Sequence, residues 1–288
     1  MKITNHAHLP DSIVQAVIND PYPHGKIGDI SVTRLIGPPQ IRILERRHQD
    51  EIEEDAADRI WSLVGQIGHG ILERAETVAI TEERLFTKVE GWRVSGQFDR
   101  LVLLPDGTLQ DYKFTSVWAC MDGVKPEWEA QLNLLRYLVE VNGYPPIRRL
   151  QIVAILRDWS KGKARAGGDY PRVQVTVLDV SVWSMAEAGR YITERVRLHQ
   201  AAEAGHIPPC TADERWERPT TYAVKKPGRK SAVRVYGSME QAQSLVSQTP
   251  SGYVEIRMGE SIRCADYCAV RDFCPQWAAM HDQMKESA

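Results

Sequence analysis

Val94-Ser95-Gly96-Gln97-Phe98-Asp99-Arg100-Leu101-Val102-Leu103-Leu104, then Pro105-Asp106-Gly107, then Thr108-Leu109-Gln110-Asp111-Tyr112-Lys113-Phe114 is the stretch on which the fold turns. Two apolar-rich runs flank a Pro-Asp-Gly turn signal, the pattern of a β-hairpin. With the three turn residues as the loop, Leu104 faces Thr108, Asp99 faces Lys113, and Asp111 stands diagonally beside Asp99. Side chains alternate along a strand, so this register puts Asp99, Asp111 and Lys113 on one face, and a slip of one residue would scatter them.

Two carboxylates that close repel each other unless a cation sits between them, and ligation by oxygen alone favours Mg²⁺ or Mn²⁺. Such an ion polarises a phosphoryl oxygen and acidifies a bound water, and the ammonium of Lys113 can orient that water or steady the transition state. The alternative is a plain hairpin whose outer face carries a solvated ion pair, and spacing alone leaves both readings open.

Gly96-x-x-Asp99 followed by Asp111-Tyr112-Lys113 resembles the PD-(D/E)XK nuclease superfamily, in particular its RecB-like and phage exonuclease-like branch. Gly65-Gln66-Ile67-Gly68-His69 resembles the upstream Gly-x-x-x-His helix of that branch, and Gln131-Leu132-Asn133-Leu134-Leu135 its Gln-x-x-x-Tyr helix, with Leu135 where Tyr is usual. The resemblance implies that His69, Asp99 and Asp111 ligate Mg²⁺ or Mn²⁺ with the Tyr112 carbonyl, that Lys113 is catalytic, and that Gln131 holds substrate or Lys113. By periodicity, His69 and Glu73 fall opposite an apolar stripe of Ile60, Leu63, Val64, Ile67 and Ile71. Gln131 lies instead within the stripe of Trp128, Leu132, Leu135, Leu138 and Val139, where a buried amide needs a polar partner.

Five cysteines with no secretory segment point to a reducing compartment and away from a disulfide framework. Cys264-Ala-Asp-Tyr-Cys268-Ala-Val-Arg-Asp-Phe-Cys274 packs three thiols into a short span, and a metal explains them better than core filling does. Cys-x₂-Cys is the commoner zinc spacing. The five-residue gap before Cys274 resembles the iron-sulfur staple of RecB-like nucleases, which implies a [4Fe-4S] cluster over Zn²⁺. That staple usually draws its first Cys from an N-terminal Cys-Pro. Here Pro38, after Ser31-Val32-Thr33-Arg34-Leu35, holds that place, which leaves Cys210 as the candidate fourth ligand and Cys120 as the alternative.

At 288 residues and 43% apolar content the chain can build a large core. A formal charge of -2 gives no global pull on nucleic acid, so contacts must come from local patches. Arg148, Arg149, Arg157, Lys161, Lys163 and Arg165 form one. Arg215, Arg218, Lys225, Lys226, Arg229, Lys230 and Arg234, interleaved with Trp216 and Tyr222, form another, from which Lys225, Lys226, Arg229 and Lys230 are candidate nucleic-acid contacts. Either patch can equally be a solvated surface. No run has the length of a membrane span, and a cytoplasmic protein is expected, in the host cytoplasm if phage-encoded.

Along the chain, helices are predicted over Ile41 to Arg47, Asp50 to Val78 (with an acidic first turn), Pro126 to Val141, Ser181 to Ala204, Gln241 to Ser247 and Pro275 to Lys285, and strands over Arg84 to Gly91, the hairpin, Arg149 to Arg157 and Arg172 to Val180. This order predicts an α/β fold, a mixed central sheet flanked by helices, which matches a restriction-endonuclease-like core with a C-terminal Cys-rich appendage. Residues 1–204 form the expected core, and 205–288 a basic insertion and metal-binding tail packed on it. The resemblance implies a Mg²⁺-dependent deoxyribonuclease, an exonuclease by preference, acting on DNA ends or single strands in recombination, repair or phage DNA processing. Its partners would be a recombinase, a single-strand-binding protein or a helicase, since the chain has no phosphate-binding loop of its own. The competing reading is a catalytically silent nucleic-acid-binding or scaffold subunit of a nuclease-helicase complex.

Overall fold

The computed structural model describes residues 2–19, 28–75 and 78–286, the side chains of 282–286 excepted. They run β1 (Lys2–Thr4), α1 (Asp11–Ile18), β2 (Ile30–Ser31), α2 (Val32–Ile36), α3 (Pro39–Arg47), β3 (Glu53–Asp55), α4 (Ile60–Glu73), β4 (Ile80–Val89), β5 (Trp92–Val102), β6 (Thr108–Thr115), α5 (Trp118–Met121), α6 (Pro126–Val141), β7 (Arg149–Leu156), α7 (Lys161–Ala166), β8 (Val175–Val180) and α8 (Met185–Glu203). Then follow β9 (Glu217–Arg218), β10 (Thr221–Lys225), β11 (Arg234–Tyr236), α9 (Met239–Ser247), β12 (Tyr253–Arg257), β13 (Glu260–Ser261) and α10 (Pro275–Glu286). Two compact units result, one of residues 1–43 and 49–207, the other of 44–48 and 208–288. The division thus falls after Ile207, not after residue 204, and takes in the short segment 44–48.

The first unit is α/β, with a six-stranded mixed sheet in the order β2-β5-β6-β7-β8 and β4 on β5. The β4–β5 hairpin closes on Glu90 and Gly91, both at positive φ, as a two-residue turn between right-twisted strands requires. β6 and β7 run parallel, and α6 makes the crossover between them. Beneath α6 lies a core of Val94, Phe98, Leu101, Leu109, Leu132, Leu134, Leu138, Leu150 and Ile152, all buried. Gly96 is what lets α6 come this close, because a Cβ there would stand 2.7 Å from Leu135 Cδ2. His199 on α8 is fully buried, accepts from Arg42 Nε at Nδ1 (3.1 Å) and donates from Nε2 to the Leu35 carbonyl (3.1 Å), which defines its neutral tautomer.

The hairpin register differs from the expected one by two residues. Val102, not Leu104, pairs with Thr108, and the loop is Leu103 to Gly107. Gly107 takes φ 61° and its carbonyl accepts from the backbones of Arg148 and Arg149, which ties the loop to the start of β7 and sets the register. The helix predicted from Asp50 also fails in its first third. Glu53–Asp55 pairs in parallel with β1, and Asp55 spends its carboxylate on the backbone N–H groups of Ala57 and His6. A side chain competing for local backbone donors favours a cap over a helix interior, so the helix starts only at Ile60, after a 3₁₀ turn. It ends at Glu73. Residues 76 and 77 of the predicted span lie outside the described residues.

The second unit contains a three-stranded antiparallel sheet, β11-β10-β12, with α9 leading from β11 into β12, and a two-stranded ribbon, β13-β9. The cysteine-bearing segment follows as a π-type turn, Arg263–Tyr267, and a 3₁₀ turn, Arg271–Phe273, before α10. Within this unit His48 stacks on Phe273 with ring centroids 4.2 Å apart.

Candidate active site

β5 and β6 pair only as far as Arg100 with Gln110, and further back β5 instead pairs through Val94 and Ser95 with β2. The sheet therefore forks beside Asp99. At the fork the backbone N–H of Tyr112 has left the ladder, and Asp99 Oδ2 accepts it at 2.6 Å. The large apolar side chains that β5 buries, Val94, Phe98 and Leu101, step by four and then by three, so strict alternation breaks next to Asp99. Across β4 the same level is irregular too: Glu82, between the pairs Thr81 with Arg100 and Glu83 with Phe98, takes φ 50°. A left-handed backbone at a non-glycine residue costs about 1–2 kcal/mol and needs surroundings that impose it.

This break corrects the expectation of one alternating face. Asp111 and Lys113 point to the side of β6 covered by α6: Lys113 Nζ lies 2.7 Å from Asp111 Oδ2 and donates to Gln131 Oε1 (3.2 Å), and Gln131 Nε2 donates to Asp111 Oδ1 (3.1 Å). Gln131, the polar member of an apolar stripe, thus bridges acid and base. Tyr112 and Phe114 point to the other side of β6, where α4 lies and the His69 ring stands 6.2 and 6.0 Å from theirs. From that side His69 Nδ1 comes within 3.2 Å of Glu82 Oε1 and 3.6 Å of Asp99 Oδ1. Asp111 is not among the three residues whose ligand atoms gather within 4.8 Å, but its charge reaches across the fork to raise both the Asp99 carboxyl and the His69 imidazole.

The predicted placing of α4 also needs revision. Ile67 and Ile71 of the supposed core stripe are 55% and 56% exposed, and no residue of α4 is fully buried. The side turned to the sheet is that of Gly68, where a Cβ would fall 1.9 Å from Phe114 Cζ, while a Cβ at Gly65, the glycine of the motif, would meet nothing within 4 Å.

His69, Glu82 and Asp99 each offer a ligand atom within 4.8 Å of the others, and ligands across a magnesium octahedron lie about 4.2 Å apart. The electrostatics show a surplus of negative charge. Burial, and then the charge of Asp111, pushes the Asp99 carboxyl up to about 7, while the hydrogen bond to Glu82 raises the His69 imidazole. Asp111 Oδ2 is buried and, apart from its ion pair with Lys113, has no aligned hydrogen-bond donor. A divalent cation would relieve all three. The donor set therefore fits one. Glu82, held from its other oxygen by Gln97 Nε2 at 2.7 Å, is the site residue that sequence reasoning missed.

No protein-family profile and no curated protein matches the chain. Among solved structures it is similar to the protein SSO0001, at TM-score 0.45 and 15% identity over 65% of this chain and 85% of that one. It is also similar to a candidate exonuclease from Eubacterium rectale, at TM-score 0.33 and 11% identity over 55% of this chain and 56% of that one. Neither likeness is close enough to carry an argument.

The remaining candidate residues lie in the second unit, except Cys120, which is buried on α5 in the core of the first. Burial pushes the Cys210 thiol up to about 12, with Glu214, Cys274 and Cys264 adding to the shift, and Cys264 and Cys268 are raised by burial and by their neighbouring thiols. Cys210 thus feels the charge of Cys264 and Cys274, and Cys264 that of Cys268 and Cys274. Gln276 ties the backbone of Cys210 to α10 by two hydrogen bonds, and Trp277 N–H points at Cys274 Sγ from 3.5 Å. Of the basic candidates, Lys225 pairs with Glu255 at 2.8 Å, whereas Arg229 and Lys230 are exposed in the β10–β11 loop beside Lys226. Among the described residues no helix is long and apolar enough to cross a membrane.

Proposed function

We propose that this chain is a divalent-metal-dependent DNA nuclease of the PD-(D/E)XK kind, which hydrolyses phosphodiester bonds and works from DNA ends. The single observation that supports it most is the gathering of His69, Glu82 and Asp99 at a fork in the sheet, where Asp99 also feels the charges of Asp111 and Lys113 from the Asp111–Lys113–Gln131 triangle. His69, Asp99, Asp111 and the Tyr112 carbonyl would hold Mg²⁺ or Mn²⁺, with Glu82 as a further ligand or as the group that orients His69. Bound there, the ion would supply Lewis acidity to a phosphoryl oxygen and a more acidic water. Lys113, fixed by Asp111 and Gln131, orients the attacking water and offsets charge that builds on the phosphorus oxygens. Gln131, bonded to both Lys113 and Asp111, would keep the ammonium in place if Asp111 also held an ion. Lys226, Arg229 and Lys230 are the proposed phosphate contacts of the second unit.

We propose further that Cys210, Cys264, Cys268 and Cys274 hold a [4Fe-4S] cluster. Among the described residues no three of these thiols lie within 4.8 Å of one another, although they feel each other's charge. The five-residue gap before Cys274, which resembles the iron-sulfur staple of RecB-like nucleases, supports the cluster over Zn²⁺.

Incubation of end-labelled linear and circular DNA with Mg²⁺ or Mn²⁺ tests the main reading. Wild type should degrade the linear form alone. Asp111→Ala should lose at least about a thousand-fold in rate with its fold intact by circular dichroism, and Lys113→Ala should lose rate while still binding Mn²⁺ in calorimetry. Undiminished turnover by Asp111→Ala would remove the assigned site.

A further inference from the structure

Beyond Lys113, the parallel pair β6 and β7 ends in residues for which hydrolysis has no use. Trp61 stands seven residues before Gly68, two turns along the same side of α4, and is 55% exposed. The Arg157 guanidinium lies over its ring, 4.1 Å from the centroid. Arg157 is placed by its backbone N–H, which donates to the Thr115 carbonyl at 2.9 Å, and Thr115 is two residues, about 7 Å of strand, past Lys113. Trp118, three residues further, is 63% exposed. Lys163 Nζ stands 5.9 Å from its ring and 5.9 Å from the ring of Tyr170, whose hydroxyl accepts from the backbone of Ser160 and so holds the loop.

Two open indoles, each with its own cation, cost the free protein the burial that aromatic side chains otherwise gain. The cations set against these rings call for an anion. Among the described residues Arg157, Lys161, Lys163 and Arg165 have no carboxylate partner, and Asp158, the one acid between Arg148 and Gly168, already spends Oδ1 on the Val117 N–H at 2.7 Å. An apolar protein surface would strand those cations. A duplex offers phosphates but keeps its base faces stacked, so the rings would meet nothing. An unpaired strand offers both, a phosphate for each cation and a base face for each ring.

We propose that Trp61 and Trp118, with Arg157 and Lys163, form a stacking subsite for unpaired bases of a DNA strand that runs past Lys113. The proposal rests on the nuclease reading for its substrate, but its test does not need turnover. Labelled oligodeoxythymidine is titrated with the full chain in EDTA and followed by fluorescence anisotropy, beside a blunt duplex of equal length. Trp118→Ala should weaken oligothymidine binding about ten-fold, Trp61→Ala by a similar factor, and Trp118→Phe, which keeps a ring, should recover most of the loss. Duplex binding should change less than about two-fold. If both alanine variants bind oligothymidine as wild type does, or lose the duplex equally, the subsite is refuted. Since these rings are exposed, an unchanged melting midpoint is expected and separates lost contact from lost fold. An inactive wild type that still shows the ring-dependent binding would overturn the nuclease reading and leave the subsite standing.

Discussion

Gly68→Ala should damage the site while Gly65→Ala should not, although the motif in the sequence names Gly65. A methyl at Gly68 would sit 1.9 Å from Phe114 Cζ and 2.4 and 2.5 Å from the two neighbouring ring carbons, so helix or ring must give by about 1.5 Å to regain ordinary contact. Overpacking of that kind costs about 1–3 kcal/mol. Alanine in place of glycine within a helix returns about 1 kcal/mol, but this gain is common to both variants, and Gly65 has open space where its Cβ would go. Comparing the two cancels the helix contribution. Urea unfolding should therefore place Gly68→Ala about 1–3 kcal/mol below Gly65→Ala. The consequence for chemistry follows from His69, the next residue, because ligand positions tolerate only about 0.2 Å and the shift is several times that. Mn²⁺ affinity by calorimetry should fall at least about ten-fold in Gly68→Ala and stay unchanged in Gly65→Ala. Trimming Phe114 to Leu in the Gly68→Ala background should recover part of both losses, a coupling that a double-mutant cycle measures. Equal behaviour of the two glycine variants would mean that α4 does not rest on Phe114 as described.

Two further outcomes follow. Burial pulls the His199 imidazole down to about 4 against about 6.5 when unfolded, so its contribution is fully present above pH 6.5 and lost as pH falls toward 4, on the order of 3 kcal/mol in all; His199→Gln should flatten the acid limb of stability by that amount, and an unaltered slope would mean the ring is not held neutral. Protein purified without oxygen should carry about four irons per chain and absorb in the visible. Cys210→Ser should lower both and Cys120→Ser neither, whereas stoichiometric zinc in place of iron would refute the cluster.

The sheet and its helices were legible because their apolar periods are long and their turn residues explicit, as in Leu103 to Gly107 and in the run from Pro126 to Val141. The hairpin register was not, since a three-residue and a five-residue loop suit the same turn residues, and the choice was made by Arg148 and Arg149, forty residues away, bonding to Gly107. A shift of two keeps parity, so the candidate residues of β6 kept their face. Glu82 was invisible for a different reason. In Thr81-Glu82-Glu83-Arg84 it looks like any polar strand position, and what singles it out is a left-handed backbone and a facing histidine, neither of which a local pattern encodes. The amphipathic reading of α4 failed where a helix packs through glycine, since a residue without a side chain contributes nothing to an apolar stripe yet permits the closest approach.

Glu82 and the fork also explain each other. A regular ladder would have kept the Tyr112 N–H in the sheet and pointed Asp99 and Asp111 along fixed alternating directions, with α4 and α6 on separate faces. Parting the strands frees that N–H for Asp99 at 2.6 Å. The left-handed turn of Glu82 on the neighbouring strand brings a third carboxylate to the same level, and its strain is offset by hydrogen bonds to His69 and Gln97. Burial first, and then the charge of Asp111, push the Asp99 carboxyl up to about 7 in spite of the His69 imidazole and the Lys113 ammonium nearby. A surface ion pair would show the reverse, with each carboxyl held down by its partner as Glu53 is by Lys2. A bound cation would offset the repulsion between Asp99 and Asp111 that the side chains of the site leave in place.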